Sequence, residues 1–356
     1  MGERHGRAQR AGRRQHGHRP PRERGRAARV RADRPPRSLR VARRRQVSAG
    51  PAFQPVLEGI VAALAELRGA EGQVASYIPA LARVDARHFG VALVTADGQE
   101  AVAGDGALPF SIQSISKVFT LTLAMQHLGE SLWERIGREP SGSAFNSLVQ
   151  LEFEQGRPRN PFINAGAIAV ADRLVTLFGS QAKAELLALM TALAGEPIAF
   201  DEEVAASEAA TGFRNLALAN FMKSFGKLDN PVEQVLDLYF HQCALRMSCL
   251  QLARAAAYLS RDGHHPLWAG RAVCTERQTR RINALMLTCG TYDAAGEFAY
   301  RIGLPCKSGV GGGIVAVVPD RLTLAVWSPA LDATGNSALG RQALEMFVGR
   351  TGLSVF

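Results

Sequence analysis

The stretch Phe110-Ser-Ile-Gln-Ser-Ile-Ser-Lys-Val-Phe119, taken with Lys307-Ser-Gly-Val310, decides how this 356-residue chain is read. Ser114 precedes Lys117 by one helical turn, and positions i and i+3 share a helix face, so the hydroxyl lies within reach of the amine. Phe110, Ile112, Ile115, Val118 and Phe119 surround the pair with apolar side chains. Burial disfavours a charged lysine, so an amine that ordinarily titrates near ~10.4 becomes available as a neutral base. With Ser114 in the first turn of a helix, exposed amides help a developing oxyanion. Two other Ser-x-x-Lys matches, Ser180/Lys183 and Ser224/Lys227, sit in glycine-containing loops at helix edges, where solvated side chains need no chemical role. Alone, Ser114/Lys117 reads equally as a capping serine beside a snorkelling lysine.

The second stretch tips that balance. Lys307-Ser-Gly-Val-Gly-Gly-Gly313 leads into the apolar strand 314–318, where glycines permit close backbone approach and an edge strand offers N–H groups. Ser-x-x-Lys followed by Lys-[Ser/Thr]-Gly is the pairing of serine acyl-transfer enzymes that use lysine as base.

Working outward, residues 51–68 carry apolar positions at helical spacing, and Tyr77-Ile-Pro-Ala-Leu-Ala reads as a proline turn. Residues 88–104 alternate around Ala96-Asp-Gly98, a hairpin signal. Ser111 or Ser114 opens a helix to about His127. The span 129–287 is mostly helical, most strongly over 182–193 and 232–257, with loops at 154–161, 195–201 and 226–231. Strands are predicted over 299–304, 313–318 and 322–327, and a last helix over 337–351. The fold class is therefore α+β: an antiparallel sheet from both ends of the chain, flanked by helices, plus an all-α lobe, with the site in the cleft between them. The expected organisation is a sheet part from 51–125 and 288–356 and a helical lobe from 126–287, together one catalytic domain, 47–356.

Charge is concentrated at the start. Residues 1–50 hold 17 Arg and 3 acidic residues, whereas the remainder holds 25 basic and 29 acidic residues, so a basic partner-binding face is not inferred for the folded part. Residues 1–46 offer almost nothing to pack and read as a disordered tail, or as a mis-placed start with Val47 as the true first residue. Dense arginine suits nucleic acid, but no aromatic is interleaved, so nucleic acid is at most a partner of the tail. Five cysteines without Cys-x-x-Cys or histidine at ligand spacing read as reduced thiols of a cytoplasmic protein, and no metal or cofactor is expected. No apolar run reaches a membrane-span length, and no hydrophobic leader is read at the N-terminus.

From about residue 51 onward the chain resembles the serine-dependent glutaminases of the bacterial type, which have the β-lactamase/transpeptidase-like fold. The resemblance rests on the segments at 77–82 and 110–119, on Arg159-Asn-Pro-Phe-Ile-Asn-Ala-Gly-Ala167, Ser207-Glu through Arg214-Asn215, Leu236-Asp-Leu-Tyr-Phe-His-Gln-Cys243, Cys289-Gly-Thr-Tyr-Asp293 and Gly303-Leu-Pro-Cys-Lys-Ser-Gly-Val310. It implies hydrolysis of L-glutamine to L-glutamate and ammonia, with Ser114 as nucleophile and Lys117 as its base. Asn164, Glu208, Asn215, Tyr239, Tyr292 and Val310 match substrate-binding positions, with Tyr77 at the pocket mouth; a homodimer or homotetramer is implied as well. The residue types agree: Glu208 suits the substrate ammonium, Asn164 and Asn215 its carboxylate, the amides of Ser114 and Val310 the oxyanion, and Tyr292 or Tyr239 the proton delivered to ammonia. Ordinary alternatives are a helix cap at Asn164, a first-turn acid at Glu208 and packing tyrosines. A penicillin-recognising serine hydrolase on the same scaffold is the nearest competitor, but no Ser-Asp-Asn or Tyr-x-Asn element lies between the two motifs. An arginine-tailed nucleic-acid-binding protein is the other.

Overall fold

The computed structural model describes residues 53–142, 147–268 and 270–356, so the expectations for residues 1–46 and Val47 lie outside it. Helix α1 (Gln54–Ala63) buries Leu57 and Ile60 and runs on into a 3-10 turn at Ala65–Leu67, accounting for the helix expected over 51–68. The proline turn is instead a single helical turn, α2 (Pro79–Ala82), because proline at the first helical position has φ preset and lacks only an N–H that would go unpaired. Strands β1 (Gly90–Thr95) and β2 (Glu100–Gly104) form the hairpin signalled by Asp97-Gly98, with Gly98 at φ +88°. A two-residue strand β3 (Phe110–Ser111) and a 3-10 turn at Gln113–Ile115 precede α3 (Ser116–Leu128), so the helix expected to open at Ser111 or Ser114 begins slightly later.

The middle of the chain contains α4 (Leu148–Phe153), α5 (Asn164–Phe178), α6 (Ala182–Ala194), β4 (Ala199–Phe200), α7 (Glu202–Thr211), α8 (Phe213–Ser224) and α9 (Val232–Cys243). The continuous helix read over 232–257 is a correction: it breaks after Cys243 into β5 (Leu245–Met247) and α10 (Cys249–Ala256). Ser248 and Gln251 form a reciprocal capping box that restarts the helix by satisfying its first amides. β5 pairs antiparallel with β3 and β4 in a small sheet that the helical pattern concealed.

Beyond α11 (Glu276–Cys289), the strand expected over 299–304 is wrong: α12 (Ala295–Arg301) occupies most of it, with Phe298 and Ile302 buried at helical spacing and Gly303 turning the chain at φ +64°. The strand lies just after, β6 (Cys306–Ser308). β7 (Gly313–Val318) and β8 (Leu322–Trp327) have the expected bounds, and Ser337 caps α13 (Ala338–Thr351).

The main sheet is antiparallel in the order β2-β1-β8-β7-β6, so strands from the two ends of the chain pair directly and β6 is an edge. Val91, Leu93, Ile314, Ala316, Leu324 and Val326 pack with Leu57 and Ile60 of α1 and Leu344 and Phe347 of α13. The alternate residues Ala92, Val94, Val315, Val317 and Ala325 belong to a second core with α3, α5, α9 and α10. Strands buried on both faces read as unbroken apolar runs, which is why β7 and β8 were so legible. Thr323 donates from Oγ1 to Ala253 O at 2.7 Å, fixing α10 to β8. Among the described residues no helix is long and apolar enough to cross a membrane.

Candidate active site

The glycine run 309–313 carries no side chains where residues 110–114 cross it. A Cβ on Gly309 would lie 2.5 Å from Ile112 O and 3.2 Å from Ser114 N; one on Gly311, 2.3 Å from Ser111 O; one on Gly313, 2.6 Å from the Phe110 ring. Phe110 stacks on Trp327 at 4.9 Å, and the indole donates to Gly311 O at 3.0 Å. Backbone contact between the two quoted stretches is thus a requirement of this packing. Gly309→Ala is expected to push the Ser114 amide aside and lower kcat about a hundredfold. Steady-state kinetics on the purified variant checks this, and an unaltered kcat would refute the importance of the crossing.

Ser114 lies in the 3-10 turn, 7% exposed, directly after Gln113, which is held at φ +50°. A non-glycine residue in that region stores strain and is sustained only by its surroundings. Gln113 donates from Nε2 to Ser111 Oγ at 3.0 Å and hydrogen-bonds the Glu208 carboxyl, while Ser111 Oγ donates to Cys243 O at 2.9 Å. Nothing in the sequence signalled Gln113 except its place within the motif.

Lys117, in the first turn of α3, is wholly buried; its amine donates to Asn164 Oδ1 at 2.7 Å and Phe162 O at 3.3 Å. Burial draws its pKa down to about 8, against the opposing pull of Cys243 and Glu208. Asn164 opens α5 without capping it, and donates from Nδ2 to Asn215 Oδ1 at 2.9 Å. Glu208 sits in the second half of α7 rather than its first turn; burial raises its carboxyl to about 7, offset by the Gln113 hydrogen bond and the Lys117 charge. Tyr239, on α9, is buried and hydrogen-bonded to Cys243, and burial pushes both groups upward, the thiol to about 12.

Tyr292 begins a 3-10 turn after α11 at φ +56°. Its hydroxyl hydrogen-bonds Ser114 and donates to Ser308 O at 3.4 Å, and burial lifts its pKa to about 12. The Lys307 amine lies 4.6 Å from the centre of the Tyr292 ring and donates to Gly290 O at 2.9 Å and Ser308 O at 2.6 Å, binding the edge strand to the turn. Burial, then the nearby Lys117, hold Lys307 well below the ordinary lysine pKa.

These segments enclose a cleft of about 200 Å³. Tyr77, Ser114, Asn164, Glu208, Asn215, Tyr239 and Val310 line it, with Tyr77 more than half exposed at the mouth. Lys117 sits behind Asn164, and Tyr292 meets Ser114 from the side while also lining a separate hollow of about 710 Å³. Gln113, Cys243 and Arg214 also line the cleft and were not singled out as site residues from the sequence. A serine hydroxyl, an amine of lowered pKa, a buried carboxyl group and a tyrosine hydroxyl converge here, a set of groups suited to acyl transfer on a small polar substrate.

A family model described as Glutaminase matches residues 72–356. A curated relative named Glutaminase from Rhodopseudomonas palustris (strain TIE-1) is 61% identical over 308 residues, covering 85% of this chain and 98% of the relative. One from Rhizobium meliloti (strain 1021) is 59% identical over 308 residues, covering 85% and 96%. The solved structure of a probable glutaminase ybaS superposes with a TM-score of 0.81 at 37% identity, covering 86% of this chain and 99% of that one. A probable glutaminase from Bacillus subtilis complexed with 6-diazo-5-oxo-L-norleucine gives 0.77 at 34% identity, covering 86% and 97%.

Proposed function

The chain belongs to the glutaminase family, and from that premise we propose that its cleft hydrolyses L-glutamine to L-glutamate and ammonia through an acyl-enzyme on Ser114. The observation that carries the mechanism is the Lys117 amine, buried one turn from Ser114 with its pKa drawn down to about 8. A neutral amine has two hydrogens and one lone pair. Phe162 O and Asn164 Oδ1 take the two hydrogens, leaving the lone pair to accept the Ser114 proton.

Ser114 Oγ then attacks the side-chain carbonyl, and the amides of Ser114 and Val310 receive the negative charge. Collapse breaks the C–N bond, and ammonia leaves with a proton supplied through Tyr292, whose hydroxyl already bonds Ser114. Lys117, neutral again once the Ser114 proton has passed through Tyr292 to ammonia, takes a proton from the water that attacks the ester and hands it to Ser114 Oγ as the ester C–O bond breaks and glutamate leaves. The neighbouring structure's 6-diazo-5-oxo-L-norleucine supports the substrate class, since it keeps the amino-acid head of glutamine and replaces the side-chain amide with a reactive ketone. Five free, buried cysteines support a reducing, cytoplasmic setting. A homo-oligomer is the assembly proposed from the family.

A coupled glutamate assay on the chain tests the reading; no glutamate from L-glutamine overturns it. The pH profile is a sharper check. Glu208 binds an ammonium only when ionised, above about 7, and Lys117 acts only when deprotonated, above about 8. Both act in the deprotonated form, so kcat/KM is expected to rise from pH 6 to about pH 9 and fall on acidification. A flat profile across that window contradicts both assignments.

A further inference from the structure

Free glutamine enters as a zwitterion, so the cleft must meet a carboxylate on the same carbon as the ammonium. Glu208 suits the ammonium but repels the carboxylate. The neutral donors are partly spent: Asn164 accepts from Lys117 through Oδ1 and donates to Asn215 through Nδ2, leaving Asn215 with only its own amide N–H groups free. Lys117 and Lys307 are buried, with their amines committed to Asn164 and to main-chain carbonyls.

Arg214 is different. It lines the cleft from the first turn of α8, beside Asn215, and is exposed. Among the described residues it has no hydrogen bond, ion pair or ring contact, whereas surface arginines such as Arg83 and Arg254 are paired, with Glu203 and with Glu100 and Glu196. A guanidinium stays charged at all working pH values and meets a carboxylate through two parallel hydrogen bonds.

We propose that Arg214 is a specificity-determining residue whose guanidinium takes the α-carboxylate of the bound amino acid while Glu208 takes the ammonium. The proposal rests on reading the cleft as a glutamine site, and it explains how a cavity with a buried carboxylate accepts a substrate carrying another. Amides lacking the α-carboxylate are thereby selected against.

The test compares wild type, Arg214→Ala and Arg214→Lys on L-glutamine and on its α-amide, in which a neutral amide replaces the carboxylate, with chromatography to follow side-chain deamidation. Arg214→Ala is expected to raise KM for L-glutamine about tenfold to a hundredfold with little change in kcat. With the α-amide the same substitution should cost less than about threefold, and Arg214→Lys should recover part of the glutamine affinity. Melting temperatures confirm that each variant is folded. An unchanged KM for L-glutamine, or equal losses on both substrates, overturns the role of Arg214 while wild-type glutamine turnover leaves the site reading intact. A wild-type chain that does not turn over glutamine sinks both.

Discussion

Ser114→Ala is expected to release no measurable ammonia from L-glutamine, a loss of at least about 10⁴-fold, and to melt close to the wild-type temperature. The expectation follows from what the hydroxyl touches. Ser114 is almost fully enclosed, in a 3-10 turn that alanine adopts equally well, so little stability depends on its oxygen. Its hydrogen bond to Tyr292 is lost, but that hydroxyl retains Ser308 O. Asn164, Glu208, Asn215 and Val310 still line the cleft, so the variant should keep its affinity for L-glutamate, measurable by calorimetry. Substantial turnover in purified, folded Ser114→Ala would falsify the nucleophile assignment.

Lys117→Met and Lys117→Arg carry the second large effect, and their agreement is the informative part. Methionine matches the length and burial of the lysine stem but has no base, and kcat should fall about 10³- to 10⁴-fold. Arginine keeps a positive charge yet does not release its proton, so it should fail nearly as badly. Were Lys117 only an electrostatic anchor for Asn164 Oδ1, the arginine variant would retain much of the rate and the methionine variant would not. Stopped-flow measurement of glutamate release above and below pH 8 separates these outcomes, because only a proton acceptor makes the wild-type rate follow the amine's own titration.

Much of this arrangement was legible in the sequence where the physics is local or periodic. Gly313–Val318 and Leu322–Trp327 announced themselves because the sheet is covered on both faces. Asp97-Gly98 specified its hairpin, and Ser337 marked the start of the last helix. Lys117 was read as desolvated because its neighbours are apolar, and every residue from Ser116 to Met125 is in fact buried. The small sheet was not legible: strands of two or three residues leave no period, and Leu245–Met247 lies between two helical patterns. A closer signal was present at Ser248 and Gln251, whose spacing is that of a capping box. Tyr300, Ile302 and Leu304 resemble strand alternation, yet Phe298 and Ile302 lie one helical turn apart on a buried face. The left-handed backbone of Gln113 and Tyr292 leaves no trace in residue identity, since both conformations are imposed by distant contacts. Arg214 falls in the same class: its value comes from lacking a partner, and only the folded surroundings reveal that.

The walls of the cleft come from positions as far apart as Tyr77 and Val310, and the backbone around Ser114 is seated against a glycine run that follows it by nearly two hundred residues. During synthesis, therefore, the surroundings of Ser114 stay incomplete on a nascent chain until the strands that flank the glycine run have emerged from the ribosome. A cell producing this protein is spared an amidase that fires while half made: deamidation begins only when translation of the strands that complete the sheet is over.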